Sequence, residues 1–206
     1  MSPKIVDKKM KKESLLQASM MAFARRGYAD TTMDSIAKKA GVSKGILYEY
    51  FESKETLFFE LYDYFERIYI SKLNHKLDRI KDPKKKLKLF IEYSFEIYSE
   101  FSDFINVIFF FWAEGMLKRS GKNFDLLDIY NRYREWVAGM ISDGVKEGCF
   151  QKVDVYVYAS IIFGAMDGLC LQWILDRKNF PIKKASQQLS RTILKGLEKT
   201  DSSLKI

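Results

Sequence analysis

The chain has 206 residues, of which 47% are hydrophobic and 30% charged, with 3 prolines and 11 glycines. That length and balance fit one sizeable core or two small ones, and exclude a disordered chain, a collagen-like repeat or a small disulfide scaffold. The formal net charge is +8, and residues 1–55 hold half of that excess, with eleven Lys or Arg against seven Asp or Glu. A basic N-terminal module attracts polyanions, either nucleic acid or an acidic membrane surface. The apolar run 104–113, interrupted by Asn106, is only ten residues long, whereas a membrane-spanning helix needs roughly 20. No transmembrane segment is expected. The first twelve residues are lysine-rich without an apolar export region, so the expected location is cytoplasmic. Cys149 and Cys170 lack metal-ligand spacing and are expected as small core residues without a bridge.

Apolar residues recur at three- and four-residue spacing almost throughout, which predicts an all-α fold of about nine helices. Leu15, Leu16, Ser19, Met20 and Phe23 share one face of a helix over 13–26, with Gly27 as its left-handed cap. Thr31 or Thr32 can cap a two-turn helix ending at Ala40, and Ser43 a third over 44–51. A long fourth helix is predicted over 54–80, its stripe running through Leu57, Leu61, Tyr64, Phe65, Ile68 and Leu73. Asp82-Pro83 breaks it and starts a fifth over 83–100. Further helices are predicted over 101–118, 124–146, 154–177 and 182–199, separated by a polar loop at 119–123, by Gly148 and by the turn Asn179-Phe180-Pro181.

The second and third helices, separated by Ala40-Gly41-Val42-Ser43, form a helix-turn-helix: glycine allows the bend, Val42 fills the small core, and Ser43 starts a helix whose first residues project outward. Such a helix fits a major groove. The run from Thr31 to Leu57, with Gly41-Val42-Ser43, Tyr48-Glu49-Tyr50-Phe51 and Lys54-Glu55-Thr56-Leu57 inside it and Ala22 to Tyr28 upstream, resembles the signature of the tetracycline-repressor (TetR) family of bacterial transcription regulators. The resemblance covers about 45 residues. It implies a DNA-binding domain at 1–55 and an effector-binding and dimerisation domain at 56–206. It also implies a cytoplasmic homodimer on double-stranded DNA with a palindromic operator, most simply a repressor, which a small-molecule effector releases.

Carried across by position, the resemblance puts Lys44 and Gly45 where the third helix faces base edges, and Tyr48 on the backbone or a thymine methyl. It puts Tyr50 and Lys54 on phosphates. The chemistry agrees, since lysine can donate to guanine O6 and N7, while Thr32, Ser43 and Lys54 stand at helix starts whose free amides favour phosphate. Packing inside the protein is the competing reading for both tyrosines, and of the two Tyr48 is the one expected to touch DNA. Lysines 4, 8, 9, 11 and 12 form either an arm along the DNA or a solvated tail.

The helix over 154–177 is apolar on most of its circumference and is expected to be buried on more than one side. Its small residues Ser160, Gly164 and Gly168 recur every four positions, and with Leu189 and Ile193 of the last helix they are the expected dimer face, unless the same face packs internally. The middle helices carry many aromatics, and an aromatic, mainly apolar effector site is expected to include Tyr93, Trp112, Glu114 and Tyr133. Core packing is the competing reading for each ring. Glu114 and Asp167 both sit in apolar runs, and each needs a partner such as Arg132 or Arg134, or a cationic ligand. No metal site, cofactor or enzymatic activity is expected, because the single histidine, His75, has no matching ligands or nucleophile pattern and no phosphate loop is present. The alternative function is a helical protein that binds DNA or a membrane surface without regulating anything.

Overall fold

The computed structural model describes the backbone of residues 3–118 and 125–199, and their side chains except those of 3–6, 110–111 and 113–118. The described residues form nine helices and no strand: α1 Pro3–Arg26, α2 Met33–Ala40, α3 Lys44–Tyr50, α4 Lys54–Leu77, α5 Pro83–Glu100, α6 Ser102–Lys118, α7 Leu126–Lys146, α8 Val155–Leu175 and α9 Ile182–Leu197. They make two compact units. The first comprises α1 to α3, α4 as far as Ile68, and α6; the second comprises the rest of α4 with α5, α7, α8 and α9.

The first unit closes around Leu15, Phe23, Ile36, Leu47, Phe51, Phe58 and Phe104, all at most 1% exposed. Phe58 meets Phe23 edge-on at 5.7 Å and Tyr28 edge-on at 5.3 Å, so one aromatic of α4 fixes the end of α1. Helix α1 begins ten residues before the predicted start. Its first turns are lysine-rich and hold no apolar stripe, but Lys and Met are good helix formers and no breaker precedes Gly27. Lys12 pairs with Glu60 and stands over the Phe51 ring at 5.6 Å.

Helix α4 stops at Leu77, three residues short of the expected end, because Leu77 is the last buried position and its carbonyl accepts from the Ile80 amide in a closing turn. Asp82 then caps α5, accepting from the amides of Lys84 at 2.9 Å and Lys85 at 3.2 Å. That carboxylate offsets three consecutive lysines at the positive end of the helix dipole.

In the second unit α5 packs against α7 and α9, and α8 against α7 and α9. The core runs through Leu87, Phe90, Ile91, Val137, Ile141, Phe150, Ile162 and Leu197. Cys170 is buried there, whereas Cys149 is half-buried at the turn after α7, and both are free thiols. Helix α8 is long and apolar enough by length and composition to cross a membrane, which the shorter run 104–113 did not reveal. It nevertheless carries Asp167 and buries Ala159, Ile162, Phe163, Met166, Cys170 and Trp173 inside the unit. The expectation of burial on several sides does not hold within one protomer: Tyr156, Val157, Ile161, Leu171 and Leu175 are exposed. Composition alone could not say which apolar residues face the chain's own core.

The tightest backbone approach in this unit is at Gly144, where an added Cβ would lie 2.2 Å from the Phe150 ring. Gly144→Ala should therefore displace a fully buried phenyl and cost about 1–3 kcal/mol, read as a fall of about 3–10 °C in thermal melting; an unchanged melt would mean that Phe150 moves freely.

Candidate functional site

Two very short helices carry the candidate nucleic-acid interface, and their ends are closed by side chains. Thr32 has extended backbone, its hydroxyl accepts from the Ser35 amide at 3.2 Å, and the Ser35 hydroxyl accepts from the Thr32 amide at 3.1 Å. This is a capping box with serine in the place usually held by glutamate. Gly41 ends α2 at φ 66, a conformation cheap only for glycine. The Gly41 and Val42 amides return to the Lys38 and Ala37 carbonyls, which fixes the bend. Ser43 then caps α3, accepting from the Ile46 amide at 3.3 Å; a cap of this kind is worth about 1 kcal/mol.

Helix α3 buries Leu47 completely, and Phe51 just beyond its end. Its opposite side leaves Lys44, Gly45, Glu49 and Tyr48 exposed, with Tyr48 43% accessible. A Cβ on Gly45 would meet nothing closer than the Ser43 hydroxyl at 3.8 Å, and its φ is not positive, so nothing inside the protein requires glycine there. The lack of a side chain instead leaves that point of the helix open to an external backbone. Lys44 is held by Asp34 of α2 at 2.7 Å and lies 5.9 Å over the Tyr48 ring. The hydrogen bond and charge of Asp34 raise the Lys44 pKa. Asp34, absent from the expected site, thus aims the cation at the mouth of α3. Only tertiary structure brings them together, ten residues apart across the turn.

Tyr50 is half-buried beside the Phe51 ring at 6.3 Å. Lys54, expected on a phosphate, is also engaged inside the protein. Its ammonium donates to the carbonyls of Tyr28 at 2.9 Å and Ala29 at 3.2 Å and sits 4.5 Å over the Tyr28 ring. Two of its three donors thus hold the residues that follow α1. Lys8, Lys9 and Lys11 are exposed on helix rather than on a structureless arm, and the side chain of Lys4 lies outside the described residues.

In the second unit, rings from four helices touch in sequence. Tyr98 and Tyr69 stack at 5.7 Å, Tyr69 meets Tyr133 at 5.8 Å, Tyr133 meets Phe163 at 6.0 Å, and Phe163 meets Phe90 at 6.2 Å. Beside them the Tyr130 hydroxyl donates to Asp167 at 2.5 Å, and the Tyr69 and Ser94 hydroxyls share a hydrogen bond of 2.8 Å. Burial raises the Asp167 pKa against the pull of the Tyr130 bond, and pushes the Tyr69 hydroxyl and the Cys170 thiol each up to about 12. Arg132 and Arg134, the expected partners of a buried acid, are engaged elsewhere: Arg132 bonds Asp128, and Arg134 bonds the Tyr130 carbonyl and Asn131.

Of the expected effector residues, Tyr133 joins this ring chain, while Tyr93 lies in the same unit under the Lys76 ammonium at 5.2 Å. Trp112 belongs to the first unit, 5.3 Å from Phe109, and the Glu114 side chain lies outside the described residues. The expected dimer residues divide as well. Ser160 and Gly164 are exposed, Gly168 and Leu189 half-buried, and Ile193 is only 7% exposed within the protomer. Ile193 thus packs within its own protomer on α9. Tyr130, Asp167 and Tyr69 are polar residues whose grouping spacing could not reveal, because 37 residues separate the bonded pair.

Residues 15–61 match the family described as bacterial regulatory proteins, tetR family, and residues 65–196 match the YsiA-like protein, C-terminal region. A fatty acid metabolism regulator protein from Bacillus subtilis is 22% identical over 191 residues, 92% of this chain and 97% of its own length. Two solved structures share the fold. A putative transcriptional regulator from Saccharomonospora viridis in complex with choline superposes with a TM-score of 0.82 at 23% identity, over 93% of this chain and 100% of its own. The transcriptional regulator FadR from B. subtilis in complex with stearoyl-CoA gives 0.74 at 21% identity, over 90% and 99%.

Because Lys54 ties down the residues after α1, Lys54→Ala should cost about 1–2 kcal/mol and lower the melting temperature by about 3–6 °C, in the absence of any DNA. A melt identical to wild type would free the ammonium for a phosphate alone.

Proposed function

As the chain belongs to the TetR family of bacterial transcription regulators, we propose that it is a cytoplasmic, ligand-responsive repressor that binds a palindromic operator as a homodimer. The observation that carries this reading is the exposed start of α3, where Lys44, Gly45 and Tyr48 project from a helix whose other side is anchored by Leu47. The domain at 1–55 reads DNA in this account. Lys44 addresses guanine, Gly45 lets the duplex approach, and Tyr48 meets the backbone or a thymine methyl. The amides at the starts of α2, α3 and α4, behind Thr32, Ser43 and Lys54, position phosphates, joined by Tyr50.

Dimerisation belongs to residues 56–206. The exposed stripe of Tyr156, Val157, Ser160, Ile161, Gly164, Leu171 and Leu175 is an apolar surface of the kind that marks association. The Ser160 hydroxyl donates to the Tyr156 carbonyl at 2.9 Å, so it is satisfied without water. Leu189 flanks this face from α9. A small-molecule effector, bound among aromatic side chains of the second unit that include Tyr93 and Tyr133, favours a protomer arrangement in which the two α3 helices no longer reach half-sites about 34–36 Å apart. The relatives' ligands, an acyl-CoA in one and choline in another, support a small-molecule effector and differ in charge.

The test is fluorescence anisotropy on the duplex upstream of the chain's own gene against a scrambled duplex over a salt series. A repressor should prefer the upstream duplex at physiological salt; equal binding to both that salt abolishes would favour a polyanion binder that reads no sequence. Assembly has its own test. A Cβ at Gly164 meets nothing within 4 Å in the protomer, so Gly164→Leu should fold normally yet raise the monomer fraction in sedimentation, whereas a fully dimeric variant would move the interface elsewhere.

A further inference from the structure

We propose that the second unit binds a cationic small molecule, of the quaternary-ammonium or protonated-amine class, between Asp167 and the faces of the tyrosines around it. The inference rests on the regulator reading and specifies the class of its effector. Asp167 stands one turn beyond Phe163 on α8, and Tyr130 nearly one turn before Tyr133 on α7, so the carboxylate lies at the side of the ring chain. Among the described residues, the Tyr130 hydroxyl donates to it, and burial and that hydrogen bond are what act on its carboxyl. A carboxylate removed from water with a single neutral donor is under-compensated, and a cation restores the balance.

The group is not a sealed core. Tyr98, Tyr130, Tyr133 and Asp167 all keep partial accessibility, while Tyr69, Ser94, Phe163 and Cys170 behind them are buried. The half-buried part of the cluster therefore brings tyrosine rings, a hydroxyl and one carboxylate together, a combination that attracts a weakly hydrated cation. Among the described residues, Arg134 bonds Tyr130 and Asn131, Arg132 bonds Asp128, and Arg177 stands 5.2 Å over the Trp173 ring, close enough to Cys170 for its charge to act on that thiol. Asp167→Asn removes the charge at constant shape, and Tyr130→Phe removes the competing donor while keeping the charge.

The experiment is calorimetric titration of the full chain, without DNA, with benzyltrimethylammonium, its neutral carbon isostere neopentylbenzene, and stearoyl-CoA. Wild type should bind the ammonium at least tenfold more tightly than the isostere, Asp167→Asn should lose at least tenfold, and Tyr130→Phe should bind as tightly as wild type or more so. Equal affinity for ammonium and isostere, or binding of stearoyl-CoA alone, would overturn the cationic class. That comparison uses wild type, so it decides even if Asp167→Asn does not fold. Release of operator DNA is measured separately: a chain that stearoyl-CoA releases from its operator would still be a regulator, with this inference discarded.

Discussion

Helices of eight and seven residues have more unpaired backbone groups at their ends than hydrogen bonds within, so the basic module depends on how those ends are satisfied. Thr32 with Ser35, Gly41 with the Ala37 and Lys38 carbonyls, and Ser43 with the Ile46 amide supply the closure. The residues after α1 are treated the same way: buried Thr31 donates to the Gly27 carbonyl at 2.6 Å, and Lys54 to Tyr28 and Ala29. Once the ends are fixed, Leu47 and Phe51 can be buried and the opposite side of α3 is committed to the exterior.

The local part of this design is legible in the sequence. A glycine after an apolar stripe or a Ser, Thr or Asp before one acts within three or four residues, and Gly27, Gly41 and Gly148 all have positive φ, while Ser43 and Asp154 cap the helices that follow them. The start of α1 escapes pattern reading because its first turns carry no apolar period, only favourable propensity and an ion pair with Glu60, 48 residues away. By position Lys54 is expected on a phosphate, and its bonds to carbonyls some 25 residues earlier leave no trace in spacing. Ile193 follows the same logic, since an amphipathic helix announces an apolar face without naming which neighbour covers it.

Helix α8 exposes the same limit of pattern reading and gives it a functional meaning. Both of its sides are apolar, so periodicity could not separate them, yet they answer to different chemistry. Phe163, Asp167 and Cys170 turn to the tyrosines of the second unit, whereas Tyr156, Ile161, Gly164 and Leu171 stay exposed. Only a three-dimensional arrangement distinguishes a side that packs against its own chain from one that does not.

The adjacency of Asp167 and Gly168 on that helix links the two proposed binding events. A helix turns as one body, so a ligand that reoriented α8 through Asp167 would also shift the stripe of Ser160, Gly164 and Gly168. Such a shift changes an equilibrium only by the difference in ligand affinity between the two arrangements. A half-buried carboxylate with one neutral donor would supply that difference, because the ligand's attraction to it varies steeply with distance and solvation. Energetic discomfort at Asp167 in the ligand-free protein is thus what would let a small cation do work on the assembly of the chain.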